Sequence, residues 1–254
     1  MLGLITATYN SIGTLESCLA STKSIRGRIK QFVVDGSSTD GTWEYLTGYV
    51  KENPNTSIQL QNGTGLYQAI NEGLETALRD SDVTHIGLLH SDDRLIAANY
   101  CEYLSEINSE RLALYYSDIQ FHDRDNRVVR RWNAGRYSPW RFRTGWMPPH
   151  TGMIVSKSVY DEIGLYDPKF GTAADYEWII RVLKSERYDV RYFPKLTVSM
   201  LIGGASNTTF KARLKANAMD GAAWADESWL QAALIRVCKP MRKIGQFLVL
   251  RGPP

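Results

Sequence analysis

Two adjacent carboxylates, Asp92 and Asp93, follow an apolar, strand-like run at 85–89. Acidic groups at the end of a buried strand are costly unless something positive meets them. Mg²⁺ or Mn²⁺ prefers oxygen ligands and commonly binds through one or two carboxylates plus substrate phosphates. Such a cation neutralises the charge that develops on a departing nucleotide diphosphate. The plainer reading of the pair is a helix N-cap before 95–100.

Three other clusters could do chemistry. Asp35 ends a second apolar run and opens Gly36-Ser37-Ser38-Thr39-Asp40-Gly41. It reads either as a turn-former or as an acceptor for a base N–H or ribose hydroxyl, while Asp40 reads as the N-cap of the next helix. In Thr6-Ala7-Thr8-Tyr9-Asn10 a strand gives way to a helix start, where backbone amides favour negative groups. Capping by Asn10 or Ser11 is the structural alternative. Asp175, in Ala174-Asp175-Tyr176-Glu177, could take the proton of an attacking hydroxyl as a general base, or cap its helix. Glu177 and Arg181 are spaced for a structural i,i+4 ion pair.

The elements that must position these residues alternate. Strands are expected at 2–8, 32–34, 57–61 and 85–89, and helices from about 42 and over 66–78, where Leu66, Ala69, Ile70, Gly73, Leu74, Ala77 and Leu78 share one stripe. Strands separated by helices imply a parallel sheet covered on both faces. Ligands in such sheets bind beyond the carboxyl ends of the strands, where the polar clusters after Thr8, Val34 and Leu89 fall. Past residue 97 the pattern changes to a helix reaching 108, a strand at 112–116, a hairpin near 123–126, a strand at 151–155 and a helix at 175–185 with Ile179, Ile180 and Leu183 inward.

With 254 residues the chain is long enough for one large domain with a core of its own. A net charge of +3 argues against a dedicated nucleic-acid binder. Cys18, Cys101 and Cys238 are odd in number, lie far apart and form no CxxC pair, which points to a reducing compartment. No basic-plus-apolar leader and no apolar run of about 18 residues is visible. The expected location is cytoplasmic, at most peripheral to the inner membrane face.

Taken together, the ordered motifs resemble the family 2 glycosyltransferases of GT-A fold. The carriers are Thr6-Ala7-Thr8-Tyr9-Asn10, Val33-Val34-Asp35-Gly36-Ser37-Ser38-Thr39-Asp40-Gly41-Thr42, Gly65-Leu66-Tyr67-Gln68-Ala69-Ile70-Asn71-Glu72-Gly73 and Leu89-His90-Ser91-Asp92-Asp93. Pro149-His150-Thr151, Gly164-Leu165-Tyr166-Asp167, Ala174-Asp175-Tyr176 and Gly203-Gly204-Ala205-Ser206 follow in the same order, and the set spans about 1–207. The chain is most similar to bacterial enzymes that build colanic acid, O-antigen or capsule repeat units. The resemblance implies an α/β fold: a Rossmann-like, mostly parallel sheet flanked by helices, with a smaller antiparallel acceptor-side region. It implies transfer of a sugar from a nucleotide-diphosphate sugar to a glycan or lipid-linked acceptor, with inversion. Thr8, Tyr9, Asn10 and Asp35 would bind the nucleotide, Asp92 the ribose or sugar, and Asp93 the Mn²⁺ or Mg²⁺ ion. Asp175 would be the base, Asn71 would line the donor side, and His150 would touch donor diphosphate or acceptor, or order its loop. The Gly203 turn could close on the diphosphate.

Two departures stand out. Ser91 fills a slot that is often acidic, and Gly63-Thr64-Gly65-Leu66-Tyr67-Gln68-Ala69 lacks the lysine and acids that relatives often carry. The expected organisation is a catalytic domain at 1–207, divided into a nucleotide-sugar half (1–96) and an acceptor half (97–207). A basic, amphipathic helical segment follows at 208–254. It would either lie on an anionic membrane or pack on the domain. Two other readings stay open at this stage. One is a sugar nucleotidyltransferase, against which the lack of Arg or Lys in 8–13 counts; the other is a degenerate carbohydrate-binding protein.

Overall fold

The computed structural model describes residues 1–108, 113–203, 219, 221, 223–224, 232–239 and 241. One mixed sheet runs through it, with nine strands among the described residues: β1 (Leu2–Thr8), β2 (Ile29–Asp35), β3 (Thr56–Leu60), β4 (His85–Leu88), β5 (Arg94–Leu95), β6 (Ala113–His122), β7 (Val128–Trp132), β8 (Met153–Ser156) and β9 (Asp189–Leu201). The spatial order is β3-β2-β1-β4-β8-β6-β9-β5, with β7 on β6. From β3 to β4 all pairing is parallel. Direction reverses at β4–β8 and β8–β6. The strands after residue 97 therefore continue the same sheet.

The helices are α1 (Ile12–Ser21), α2 (Thr42–Glu52), α3 (Leu66–Arg79), α4 (Ala97–Ser105), α5 (Pro139–Arg143), α6 (Lys157–Ile163) and α7 (Ala174–Lys184). Successive β1 side chains enter opposite cores, as the strand period of two requires. Ile5 and Ala7 join Leu74 and Ala77 of α3 and Trp178 and Ile179 of α7. Leu2 and Leu4 join Cys18 of α1 and Tyr100, Tyr103 and Leu104 of α4. The central parallel strands β1 and β4 are buried throughout and read as apolar runs, whereas the edge strand β3 is half-buried and mixed.

Packing, more than capping, holds α3. Its N-cap is Gly65, which offers no side-chain cap. Of the expected stripe Ala69, Ile70, Gly73, Leu74 and Ala77 are buried, while Leu66 at the first turn is 41% exposed and Leu78 is half-buried; each fully buried Leu or Ile contributes about 1.5–3 kcal/mol, several times a typical cap. Gly73 sets the helix-to-sheet distance: a Cβ there would lie 2.7 Å from Ile5 Cγ2.

Three capping expectations need correction. Gly41, at φ +96°, is the N-cap of α2; Asp40, one residue earlier, accepts from Thr42 N (3.1 Å) and Thr42 Oγ1 (2.6 Å) and from Ile12 N (3.1 Å). Asp40 therefore ties the starts of α1 and α2 together. Ser11 occupies the N-cap position of α1, but its hydroxyl donates back to Tyr9 O instead of capping. Asp175 is inside α7, whose N-cap is Ala173. Most of the 208–254 segment, and Gly204, Ala205 and Ser206, lie outside the described residues.

Candidate active site

The parallel strands end side by side, with Thr8 registered against Asp35. Asp35 is fully buried and accepts from Ser38 N (2.9 Å) and Ser38 Oγ (2.5 Å), so it forms the turn beyond β2. Asn10 is in the left-handed region at φ +46°, a conformation asparagine tolerates better than most residues. Its N–H donates to Ser38 Oγ (2.8 Å) and its Oδ1 accepts from Thr39 N (2.9 Å). Two amides at the start of α1 are already paired: Ser11 N donates to Thr42 Oγ1 and Ile12 N to Asp40 Oδ2. Two other features lie along β1 and just beyond it. Tyr9 is 64% exposed, with its ring against Gly36, and the buried Thr6 and Thr8 hydroxyls make no hydrogen bond.

Beyond β4 the chain turns tightly, with Asp93 N donating to His90 O (3.0 Å). Asp93 is 1% exposed; its Oδ1 accepts only a long bond from Leu201 N (3.3 Å), and its Oδ2 makes none. Burial, then the Asp92 charge, pushes the Asp93 carboxyl well above the usual carboxylate range, and burial raises Asp92 as well. A buried carboxylate left this way costs about 1–3 kcal/mol or more. Ser91, in the slot often acidic in relatives, donates to Ser11 Oγ (2.9 Å) and anchors the strand end to α1.

His150 opens a 3-10 turn, His150–Gly152, after two prolines. The turn sits against β6: Ser117 Oγ donates to Gly152 O (3.1 Å), and a Cβ on Gly152 would come within 2.9 Å of Ser117 Oγ. This close seat brings His150 Nδ1 to 3.1 Å from Asp175 Oδ2 and His150 Nε2 to 3.0 Å from His90 Nε2. Burial alone would raise the Asp175 carboxyl. The His150 hydrogen bond and charge outweigh it, aided by the Lys239 charge, and bring it to about 2. Burial, then the His150 charge, brings His90 to about 3.

Asn71, expected to line the donor side, is buried and bonds the Tyr166 backbone. Its Nδ2 donates to Tyr166 O (2.8 Å) and its Oδ1 accepts from Tyr166 N (3.1 Å), tying α3 to the loop before α7. Glu177 pairs with Arg181 (2.7 Å) as the spacing predicts.

The sequence reading missed two residues at the site. His90 carried no signal beyond its place in the strand-end motif. Lys239 belonged to a segment read as basic and solvated, yet it is buried with its Nζ 3.3 Å from the Tyr176 ring centre.

This is an α/β sheet with paired acids beyond its parallel strands and a buried carboxylate, Asp175, joined to the same strand end through His150 and His90. The chain belongs to glycosyl transferase family 2, whose model matches residues 4–164. An uncharacterised glycosyltransferase of Mycobacterium tuberculosis is 30% identical over 192 residues, 71% of this chain and 68% of that protein. A PGL/p-HBAD biosynthesis glycosyltransferase of Mycobacterium bovis is 26% identical over 215 residues, covering 82% and 80%. The fold is GT-A. The structure of S. aureus TarS 1-349 with UDP-GlcNAc superposes with a TM-score of 0.64 at 14% identity, covering 96% of this chain and 72% of that one. The mannosyltransferase PcManGT of Pyrobaculum calidifontis, in complex with GDP-Man and Mn²⁺, gives 0.64 at 13% identity, covering 100% and 76%.

Proposed function

We propose that this enzyme is an inverting, metal-dependent glycosyltransferase that uses a nucleotide-diphosphate sugar to extend a glycan or lipid-linked acceptor, in assembly of a bacterial surface polysaccharide. The observation that carries the metal dependence is Asp93 Oδ2, a buried carboxylate oxygen with no hydrogen bond. Asp93 and Asp92 form a hard, anionic oxygen pair, which fits Mg²⁺ or Mn²⁺. Among the described residues no cluster of three or more ligating side chains occurs. Asp93 would hold the ion, with Asp92 toward the ribose or sugar. When bound, the cation offsets charge on the diphosphate leaving group.

The chain's own residues do the rest. Tyr9 offers its open ring to the base, and Thr8 Oγ1 is a free polar group at the same strand end. Asp35 and Asn10 shape the nucleotide loop, and any contact of Asp35 with the nucleotide would use lone pairs beyond those on Ser38. Asp175 stays ionised and takes the acceptor hydroxyl's proton as that oxygen attacks the anomeric carbon opposite the leaving group. Its low proton affinity makes it a weak base, so orientation and exclusion of water carry more of the rate. His150 holds its Oδ2.

The catalytic unit would span 1–207, with its nucleotide-sugar half at 1–96 and acceptor half at 97–207. On the 232–239 helix Ala232, Ile235 and Lys239 face inward, while Leu234 and Val237, with Met241 just beyond, are exposed at i, i+3, i+7 spacing. An exposed apolar face supports peripheral contact with the inner membrane surface from the cytoplasmic side, near a lipid-linked acceptor. No helix among the described residues is long and apolar enough to cross a membrane. Product analysis tests the whole reading. Release of nucleoside diphosphate from a nucleotide sugar, blocked by a chelator, supports it; pyrophosphate release from a nucleoside triphosphate would assign nucleotidyl transfer instead.

A further inference from the structure

His90 belongs to two structures at once. Its carbonyl accepts from Asp93 N–H (3.0 Å) and from Cys18 Sγ (3.2 Å), which fixes the turn that carries the paired acids. Its ring meets His150 with centroids 5.3 Å apart and Nε2 atoms 3.0 Å apart, and His150 Nδ1 continues to Asp175 Oδ2 at 3.1 Å. We propose that His90 is a positioning residue: through His150 it fixes the Asp175 carboxylate relative to the strand end that carries Asp93. The inference rests on the reading of Asp175 as the base.

Proton placement explains why a histidine suits this position. An ionised Asp175 only accepts, so His150 Nδ1 must carry a hydrogen. A single hydrogen then lies between the two Nε2 atoms. One Nε2 donates and the other accepts, and an imidazole can take either role at one atom because its proton can sit on the other nitrogen. The observed ring placement therefore carries the line from His90 to Asp175. A hydrocarbon ring in place of His90 would leave His150 anchored at one end only. Displacing a reacting group by about 1 Å can lower a rate about 100-fold.

The groups that face Asp175 are His150 and His90 from the strand-end side, Tyr166 from the loop before α7, and Lys239 from the 232–239 helix. If His150 loosens, Asp175 loses a hydrogen bond and part of a charge while its burial remains. Its apparent pKa rises, and the acid limb of the kcat profile moves to higher pH.

The test uses the full chain as wild type, His90→Phe and His90→Gln. Steady-state transfer is measured with a nucleotide sugar the wild type accepts, and the imidazole nitrogens are followed by ¹⁵N NMR without substrate. In His90→Phe, kcat should fall about 10–100-fold with donor KM within about twofold, the acid limb should move up, and His150 nitrogen signals should change. His90→Gln, whose amide can donate or accept, should recover much of kcat and return the acid limb toward wild type. Wild-type kcat in His90→Phe, or His150 signals insensitive to that change, would overturn the proposal; so would a fall in kcat with no movement of the acid limb. Undiminished transfer by Asp175→Asn would instead remove the base reading. If no donor is turned over, the NMR arm alone still decides whether the ring-to-ring bond exists.

Discussion

His150 Nδ1 lies 3.1 Å from Asp175 Oδ2, and the carboxylate it meets is buried. Burial works against the ionised acid and His150 works for it, and the net effect brings Asp175 to about 2. The unfolded value is about 3.9. A depressed carboxyl contributes stability that is present above its unfolded pKa and is lost as pH falls through the folded one. Between about pH 4 and pH 2 the wild type should therefore lose up to about 2 kcal/mol that Asp175→Asn does not lose. Urea melts of both proteins at pH 7 and pH 2.5 check this; equal losses would contradict it. Transfer by Asp175→Asn at pH 7 should fall about 10²–10⁴-fold with nucleotide binding intact.

Asp93 predicts the opposite sign. Its carboxyl is raised, so without a cation the folded state disfavours the ionised form, and stability falls as pH climbs from the unfolded pKa toward the folded one. Asp93→Asn should melt higher than the wild type at pH 7 in chelator, because the amide carries no charge to desolvate. Mn²⁺ with a nucleoside diphosphate should raise the wild-type melting midpoint and leave Asp93→Asn unmoved, since a ligand specific to the native state stabilises it by mass action. An equal shift in both proteins would remove Asp93 from the ion's ligands.

Tyr9, proposed to meet the nucleotide base, presents an open ring just beyond β1. Stacking of a base on an aromatic side chain is worth about 1–3 kcal/mol. Tyr9→Ala should weaken nucleoside diphosphate binding about 5–100-fold, and Tyr9→Phe should restore it. Titration calorimetry separates the two; unchanged affinity in Tyr9→Ala would exclude stacking.

Asn71 is expected to act on stability and not on donor affinity. Removing its amide strands the Tyr166 N–H and C=O in a buried setting. Asn71→Ala should cost about 2–4 kcal/mol of unfolding free energy, read by denaturant melts, with nucleotide affinity of the folded fraction unchanged. A large loss of affinity at full stability would return Asn71 to the donor site.

Residues 1–96 were legible because β1, the end of β2 and β4 are apolar runs closed by polar turns, and α3 carries a helical stripe. Residues 97–207 were harder to read. β9 holds Pro194 and an irregular burial pattern, with register shifts against β6 near Ser117 and Asp118, so neither period shows. β5 has two residues and α6 seven, too short for periodicity to register. At the site, Asp93, Asp175 and His150 were found through their motifs, yet their contacts were not. His150 and Asp175 are 25 positions apart, and Asn71 finds Tyr166 across 95. Lys239 looked like a solvated charge because amphipathic spacing cannot tell which face a packed aromatic ring will cover.

The most direct measurement is nucleoside diphosphate release from a panel of nucleotide sugars with an acceptor glycan, run with Mn²⁺, with chelator, and with Asp93→Ala in place of the wild type. Release by the wild type with Mn²⁺, abolished by chelator and reduced at least about 100-fold in Asp93→Ala, is the predicted result. Transfer that proceeds at full rate in chelator, or in Asp93→Ala with Mn²⁺, would contradict a catalytic cation held at this strand end.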